Sequence, residues 1–138
     1  MAGLQRFGVS MDEELLREFD ALIARRGYSV RSEAIRDLIR EELARQAAAD
    51  PGAEVAASLT ILYDHHDFER SNPLNRLQHQ HHDIIVCTTH VHLDEHTCLE
   101  VIILRGRSSE VRAAADSLVS RRGVRQGHLS CIPVNDLP

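Results

Sequence analysis

Residues 78–100, QHQHHDIIVCTTHVHLDEHTCLE, restrict the fold more than any other part of the chain; they hold six of its nine histidines and two of its three cysteines. The middle of this stretch is rich in Ile, Val and Thr, which predicts a strand over 84–92 ending on His90-Val91-His92. Alternate side chains of a strand share a face, so His90 and His92 point the same way with Cβ atoms roughly 6–7 Å apart. Residues 93–96 read as a turn, and Cys98 opens a second apolar run to Leu104. A hairpin brings Cys98 back beside His92. Two imidazoles and a thiol on one patch form a metal-binding donor set.

The fourth donor is constrained by reach. His79, His81 and His82 lie just upstream of the strand. If 83–92 is extended, eight residues at ~3.3 Å each put His82 about 26 Å from His90. None of the three meets the patch within one unbroken chain. A second chain could deliver any of them, so a four-ligand site predicts an oligomer with the site across a subunit interface.

A chain of 138 residues with 43% apolar composition can form one ordinary domain or two small ones. It has no Trp and only five Phe plus Tyr, so the expected core is aliphatic. The net charge of −5 opposes attraction of the whole molecule to DNA or a membrane, leaving room for a local basic face. All sixteen basic residues are Arg, which a composition bias explains. No apolar run approaches the ~20 residues that span a bilayer, and no N-terminal apolar leader is present, so the cytoplasm is the expected compartment. Three cysteines without a disulfide spacing fit a reducing compartment, and Cys87 and Cys131 are expected as small buried hydrophobes.

At the N-terminus, Phe7, Val9 and Met11 alternate with Arg6, Gly8 and Ser10, the pattern of a short half-buried strand. Helices are expected over 12–26, with Leu15, Leu16, Phe19, Leu22 and Ile23 on one stripe, and over 31–47, with Ala34, Ile35, Leu38, Ile39 and Leu43. Gly27 ends the first. Strand–helix–helix in under fifty residues buries little core alone, and pairing two copies through their strands solves this. The product is a ribbon–helix–helix dimer whose ribbon fits the major groove of double-stranded DNA, with Arg6, Gly8 and Ser10 facing the bases. Pro51-Gly52 marks a boundary. Beyond it the expected order is a strand over 54–64, a helix over 68–80, strands over 84–92 and 98–107, a helix over 108–121 and a strand over 124–134. This βαββαβ order is the ferredoxin-like arrangement. The strands are apolar on both faces, so the second face is expected to meet another chain. The organisation is thus α+β: a ribbon–helix–helix domain at 1–48, a linker at 49–53, and a ferredoxin-like (ACT-like) metal-binding and tetramerisation domain at 54–138.

The chain resembles the nickel-responsive transcriptional regulators of the NikR family over about residues 5–133. The resemblance is carried by Arg25-Arg26-Gly27-Tyr28, by the run Arg31 to Asp37, by Gln78-His79-Gln80-His81-His82-Asp83, by His90-Val91-His92, by Cys98-Leu99-Glu100, and by Arg122 to Arg125 with Gly127-His128-Leu129. It implies a nickel site of His90, His92 and Cys98 with His79 from a neighbouring subunit, one Ni(II) per subunit, and a homotetramer built as a dimer of ribbon–helix–helix dimers. It implies a supporting role for Glu100 beside the ligands and a K⁺-type cation site at Glu33 and Asp37. It also implies repression of nickel-uptake genes through operator DNA. Gly8 stands where the family commonly has Thr, and offers no side chain to a base.

Three imidazoles and a thiolate in a plane suit Ni(II) or Cu(II), and the same donors in a tetrahedron suit Zn(II), so a zinc- or copper-sensing regulator is the nearest alternative. A metal-storage or delivery protein would use the same donors but need no ribbon. An enzyme is not expected, because four protein ligands leave no open position on the metal.

Overall fold

The computed structural model describes residues 3–66, 76, 79, 80 and 83–135. Two compact units divide the chain, Met1–Arg40 and Glu41–Pro138.

In the first unit, α1 (Glu13–Arg25) begins where the Asp12 carboxylate accepts the amide of Leu15 at 2.8 Å, satisfying one of the free donors of the first turn. It stops at Gly27, whose φ of 82° suits a residue without a Cβ, and the Tyr28 amide closes back on the Ile23 carbonyl at 2.9 Å. The next helix, α2 (Arg31–Ala49), is tied to α1 by a bidentate pair in which Arg31 Nε and Nη2 each donate to Asp20 at 2.7 Å.

Residues 3–12 have no regular secondary structure, so the strand expected over the alternating Phe7, Val9 and Met11 is not formed here. A strand needs a ladder, and no described strand pairs with this segment. Its apolar side chains nevertheless line an open groove together with Leu16, Phe19 and Ile35 of the helices. Phe7 is 72% exposed, a large apolar group that a single chain leaves uncovered.

In the second unit, four strands form one antiparallel sheet: β1 (Glu54–Asp64), β2 (Ile85–His92), β3 (Thr97–Arg107) and β4 (Val124–Pro133), in the order β2-β3-β1-β4. The strand limits lie within a residue of those expected from pattern. Helix α3 (Ser108–Val119) follows β3 without a loop and ends two residues short of the expected Arg121. The helix expected over 68–80 lies outside the described residues except for Arg76, His79 and Gln80, which are helical.

Burial alternates along β1. Val55, Ala57, Leu59, Ile61 and Tyr63 are buried, while the residues between them are half-buried or, like Glu54, exposed. The buried face packs on Val111, Ala114, Ala115 and Leu118 of α3 in one aliphatic core. The opposite face carries Leu62, Leu99, Val101 and Ile103 among Ser58 and Thr60, half-buried and covered by nothing among the described residues.

Cys87 departs from expectation: it is exposed rather than buried. It pairs with Ile103 on the edge strand β2, after a shift in register between Ile85 and Cys87, and so lies on the uncovered face. Cys131 pairs with Ala57 on the core face but is only partly buried, because β4 is the other edge.

A Cβ on Gly127 would lie 2.5 Å from Cγ2 of Val119, a side chain stiff at χ1. Gly127→Ala should therefore cost ~1–3 kcal/mol in urea unfolding, and Val119→Ala in the same chain should recover most of it. The Arg31 hydrogen bonds hold the Asp20 carboxyl below its ordinary 3.8. A carboxyl depressed in the native state stabilises above its unfolded value and loses that contribution as pH falls through the native one. Asp20→Asn should lower the melting temperature at pH 7, and the difference from wild type should close as the pH drops below 3.8.

Candidate metal centre

The ladder between β2 and β3 sets the centre. His92 lies opposite Cys98 and His90 opposite Glu100, while β1 places Tyr63 opposite Cys98 and Ile61 opposite Glu100. Paired residues of antiparallel strands share a face, so all of these lie on the face that elsewhere forms the core. The hairpin expected from the sequence therefore forms, and it brings Cys98 beside His92.

The connecting turn is held by one carboxylate. Asp94 accepts the amides of His96 and Thr97, each at 2.8 Å, and these bonds keep its carboxyl below the ordinary range. The Leu93 amide donates to the Thr97 carbonyl at 2.9 Å. The turn also holds the end of β1, since the His65 amide donates to the His96 carbonyl at 2.9 Å.

His65 thereby joins the donor set. One ligand atom from each of His65, His90, His92 and Cys98 falls within 4.8 Å of the others. The Cys98 Sγ lies 3.4 Å from His65 Nδ1 and 3.3 Å from His92 Nδ1. The ring centroids of His90 and His92 are 4.6 Å apart, and those of His65 and His92 are 5.1 Å apart. Cys98 is buried, whereas His90 and His92 are exposed, so the set opens outward from a thiol at its base.

Behind these donors sits a carboxylate at a core position. Glu100 is 3% exposed and accepts hydrogen bonds from the Tyr63 hydroxyl at 2.8 Å and from the Thr88 hydroxyl. His90 Nδ1 lies 2.9 Å from the same carboxylate and 2.8 Å from the Tyr63 hydroxyl. With Nδ1 committed in this way, Nε2 is the nitrogen of His90 left for an ion. A buried carboxylate is tolerable only when its lone pairs are used, and here hydroxyls and an imidazole use them.

The donor chemistry fits a transition metal. Three imidazoles and a thiolate suit nickel, copper or zinc, whereas magnesium and calcium take oxygen donors.

Sequence reasoning missed His65. Reach along the chain bears on His79, His81 and His82, whereas His65 follows β1, far from them in sequence. The signal was present: β1 pairs with β3 so that Tyr63 faces Cys98, and His65, two residues on, shares that face. His79 is exposed on a helical segment and is not among the four gathered residues, while His81 and His82 lie outside the described residues.

The remaining candidates lie in the first unit. Arg6, Gly8 and Ser10 are exposed along the segment without regular structure. Glu33 and Asp37 line a small pocket with Tyr28, Arg36 and Arg40. Both Asp37 oxygens are engaged, Oδ2 by the Tyr28 hydroxyl at 2.8 Å and Oδ1 by Arg40 at 3.2 Å. Of the two carboxylates, Asp37 thus already has a guanidinium and a hydroxyl as partners.

Two helices with an apolar groove, followed by a sheet that gathers histidines around a cysteine, define a class: a small helical module joined to a candidate metal-binding domain. Comparison with known families agrees. Residues 5–46 match the ribbon-helix-helix protein, copG family, and residues 56–132 match the NikR C terminal nickel binding domain. Relatives provisionally named nickel-responsive regulators include one from Nitratidesulfovibrio vulgaris, 51% identical over 91% of this chain and 90% of its own length. Another, from Solibacter usitatus, is 48% identical over 94% of each chain. A third, from Geobacter sulfurreducens, is 48% identical over 90% of this chain and 89% of its own. The chain belongs to the NikR family.

Groups that orient a metal-bound histidine typically contribute 10–100-fold in metal affinity. Glu100→Gln is therefore expected to weaken metal binding ~10–100-fold in a competition titration. Tyr63→Phe, which leaves the carboxylate in place, should weaken it less.

Proposed function

We propose that this chain is a nickel-responsive transcriptional regulator that binds double-stranded operator DNA when loaded with Ni(II) and represses nickel-uptake genes. The observation that carries this reading is the gathering of His65, His90, His92 and Cys98 within 4.8 Å in a chain whose residues 5–46 match a ribbon–helix–helix family. The DNA-binding module is assigned to 1–48 and the metal-binding module to 54–138, with 49–53 between them.

His90, His92 and Cys98 are the common ligands in this reading. The fourth is His79 of the partner subunit in a tetramer, with one Ni(II) per subunit; His65 is the donor that a single chain offers instead. Support for assembly comes from what one chain leaves uncovered: Phe7 and its groove in the first unit, and the mixed apolar face of Leu62, Leu99, Val101 and Ile103 in the second. Pairing two N-terminal segments would cover the first and present Arg6, Gly8 and Ser10 to the major groove. The uncovered sheet face is assigned to contacts within a homotetramer.

A divalent ion bound here would hold β2, β3 and the fourth donor together in one coordination sphere. The protein's own part is to keep Cys98 at the base of the site, to fix His90 through Glu100 and Tyr63, and to hold the turn through Asp94. A secondary cation at Glu33 and Asp37 would require Arg40 to leave Asp37, and the reading does not depend on it. No helix among the described residues is long and apolar enough to cross a membrane, in keeping with a regulator working in the cytoplasm.

Nickel titration followed by ultraviolet–visible absorption tests the site. Wild type should bind one equivalent per chain with thiolate-to-nickel charge-transfer bands, and Cys98→Ala should abolish them. Loss of the ligand-field pattern in His79→Ala but not in His65→Ala supports the shared site; the reverse places all four ligands in one chain. Arg6→Ala should abolish operator binding at fixed salt while nickel binding is retained. Equal operator affinity of metal-free and nickel-loaded wild type would overturn the regulator reading.

A further inference from the structure

The end of α2 is pinned within the second unit, and its pins lie on the first turn of α3, which follows the strand that carries Cys98. Helix α2 is shared between the two units, with residues 31–40 in one and 41–49 in the other. The carbonyls of its last turn have no partner within the helix. One of them, on Ala48, accepts the Ser108 hydroxyl at 2.7 Å. Arg112 spans the same pair: its Nε lies 3.2 Å from Ser108 Oγ and its Nη2 lies 3.4 Å from the Ala48 carbonyl. Ser108 is fully buried and Ala48 belongs to the aliphatic core.

The segment that follows α2 is held by the same short stretch of α3. The Ser108 amide donates to the Ala53 carbonyl at 2.8 Å, and the Ser109 amide to the Pro51 carbonyl at 3.0 Å. Asp50 closes the turn by accepting the Gly52 amide at 3.0 Å. Three carbonyls of the junction, on Ala48, Pro51 and Ala53, are thus spoken for by Ser108, Ser109 and Arg112. The amides that open α3 serve these carbonyls instead of a side-chain cap. The segment is not a free tether.

Ser108 is also the residue that follows β3, and β3 carries Cys98 and Glu100 at its other end. That strand lies between β1 and β2 in the sheet. One strand therefore has Cys98 at one end and runs at the other directly into the anchor of α2, with no loop between strand and anchor. Coupling between separated sites is carried by such contiguous packed and hydrogen-bonded elements.

Resting on the proposed function, we infer that Ser108 and Arg112 are positioning residues for the nickel response, holding the last turn of α2 to the metal-bearing strand through the Ala48 carbonyl. Removing the clamp should leave metal binding and DNA contacts intact and disconnect one from the other.

The test uses the full chain as wild type, Ser108→Ala and Arg112→Gln. Operator affinity is measured with and without nickel at fixed salt, and nickel affinity with and without operator. In wild type, nickel should tighten operator binding by an ordinary coupling factor, on the order of 5–150-fold. In Ser108→Ala that factor should fall at least about fivefold toward unity, and the factor by which operator tightens nickel should fall equally, because coupling is reciprocal. Nickel affinity without DNA should stay within about twofold of wild type. Amide hydrogen exchange over 45–53 should quicken in the same variant. Arg112 is exposed, so Arg112→Gln should fold even if Ser108→Ala does not, and should lower the factor in part. Wild-type coupling in both variants would overturn the clamp and leave the regulator standing. A wild-type factor of one would overturn the regulator reading and the clamp with it.

Discussion

The pairing of β2 with β3 is the constraint on which the centre depends. It sets His92 against Cys98 and His90 against Glu100 on the face that elsewhere forms the core. Side chains alternate with a period of two, so a slip of one residue would send both histidines to the opposite face, away from the thiol and carboxylate. The Asp94 turn guards against that slip, because its carboxylate binds amides on the β3 side and so fixes where the strand begins.

Placing polar groups on a core face has a cost that the neighbours offset. Glu100 stands in line with Ile61 on the adjacent strand, where an aliphatic residue would ordinarily pack. A carboxylate there is costly to desolvate unless its oxygens are bonded. Tyr63, Thr88 and His90 come from two different strands to meet it, so the network exists only when the sheet is assembled. The carboxylate that holds His90 is therefore also one that ties three strands together, and the geometry of the candidate centre and the fold are specified by the same bonds.

Much of this was legible in the chain itself. The strands were marked by β-branched alternation, the helix ends by Gly27, and the His90, His92 and Cys98 donors by a period of two across one hairpin. What escaped was information held in long-range pairing. His65 needed the β1–β3 register, because nothing in its own neighbourhood distinguishes it from His66. Cys87 read as buried because a run of Ile and Val suggests an interior strand, whereas its strand is the sheet edge. The N-terminal strand was legible as a pattern, yet a pattern becomes a strand only against a partner.

The edge position of β2 has a consequence for how the centre behaves. An edge strand has unpaired backbone groups along one side and is among the less protected parts of a sheet. Every residue of β2 after Ile85 is exposed in this chain, including both of its histidines. The other donors come from the core side: Cys98 is buried on β3, and His65 follows the central strand β1. An ion shared by these groups would bond the least protected strand to the two most protected ones. Binding to the folded state alone stabilises in proportion to the logarithm of metal concentration over Kd. That gain would fall on the strand with most freedom to lose, so metal occupancy should alter the order of this edge more than that of the aliphatic core under α3.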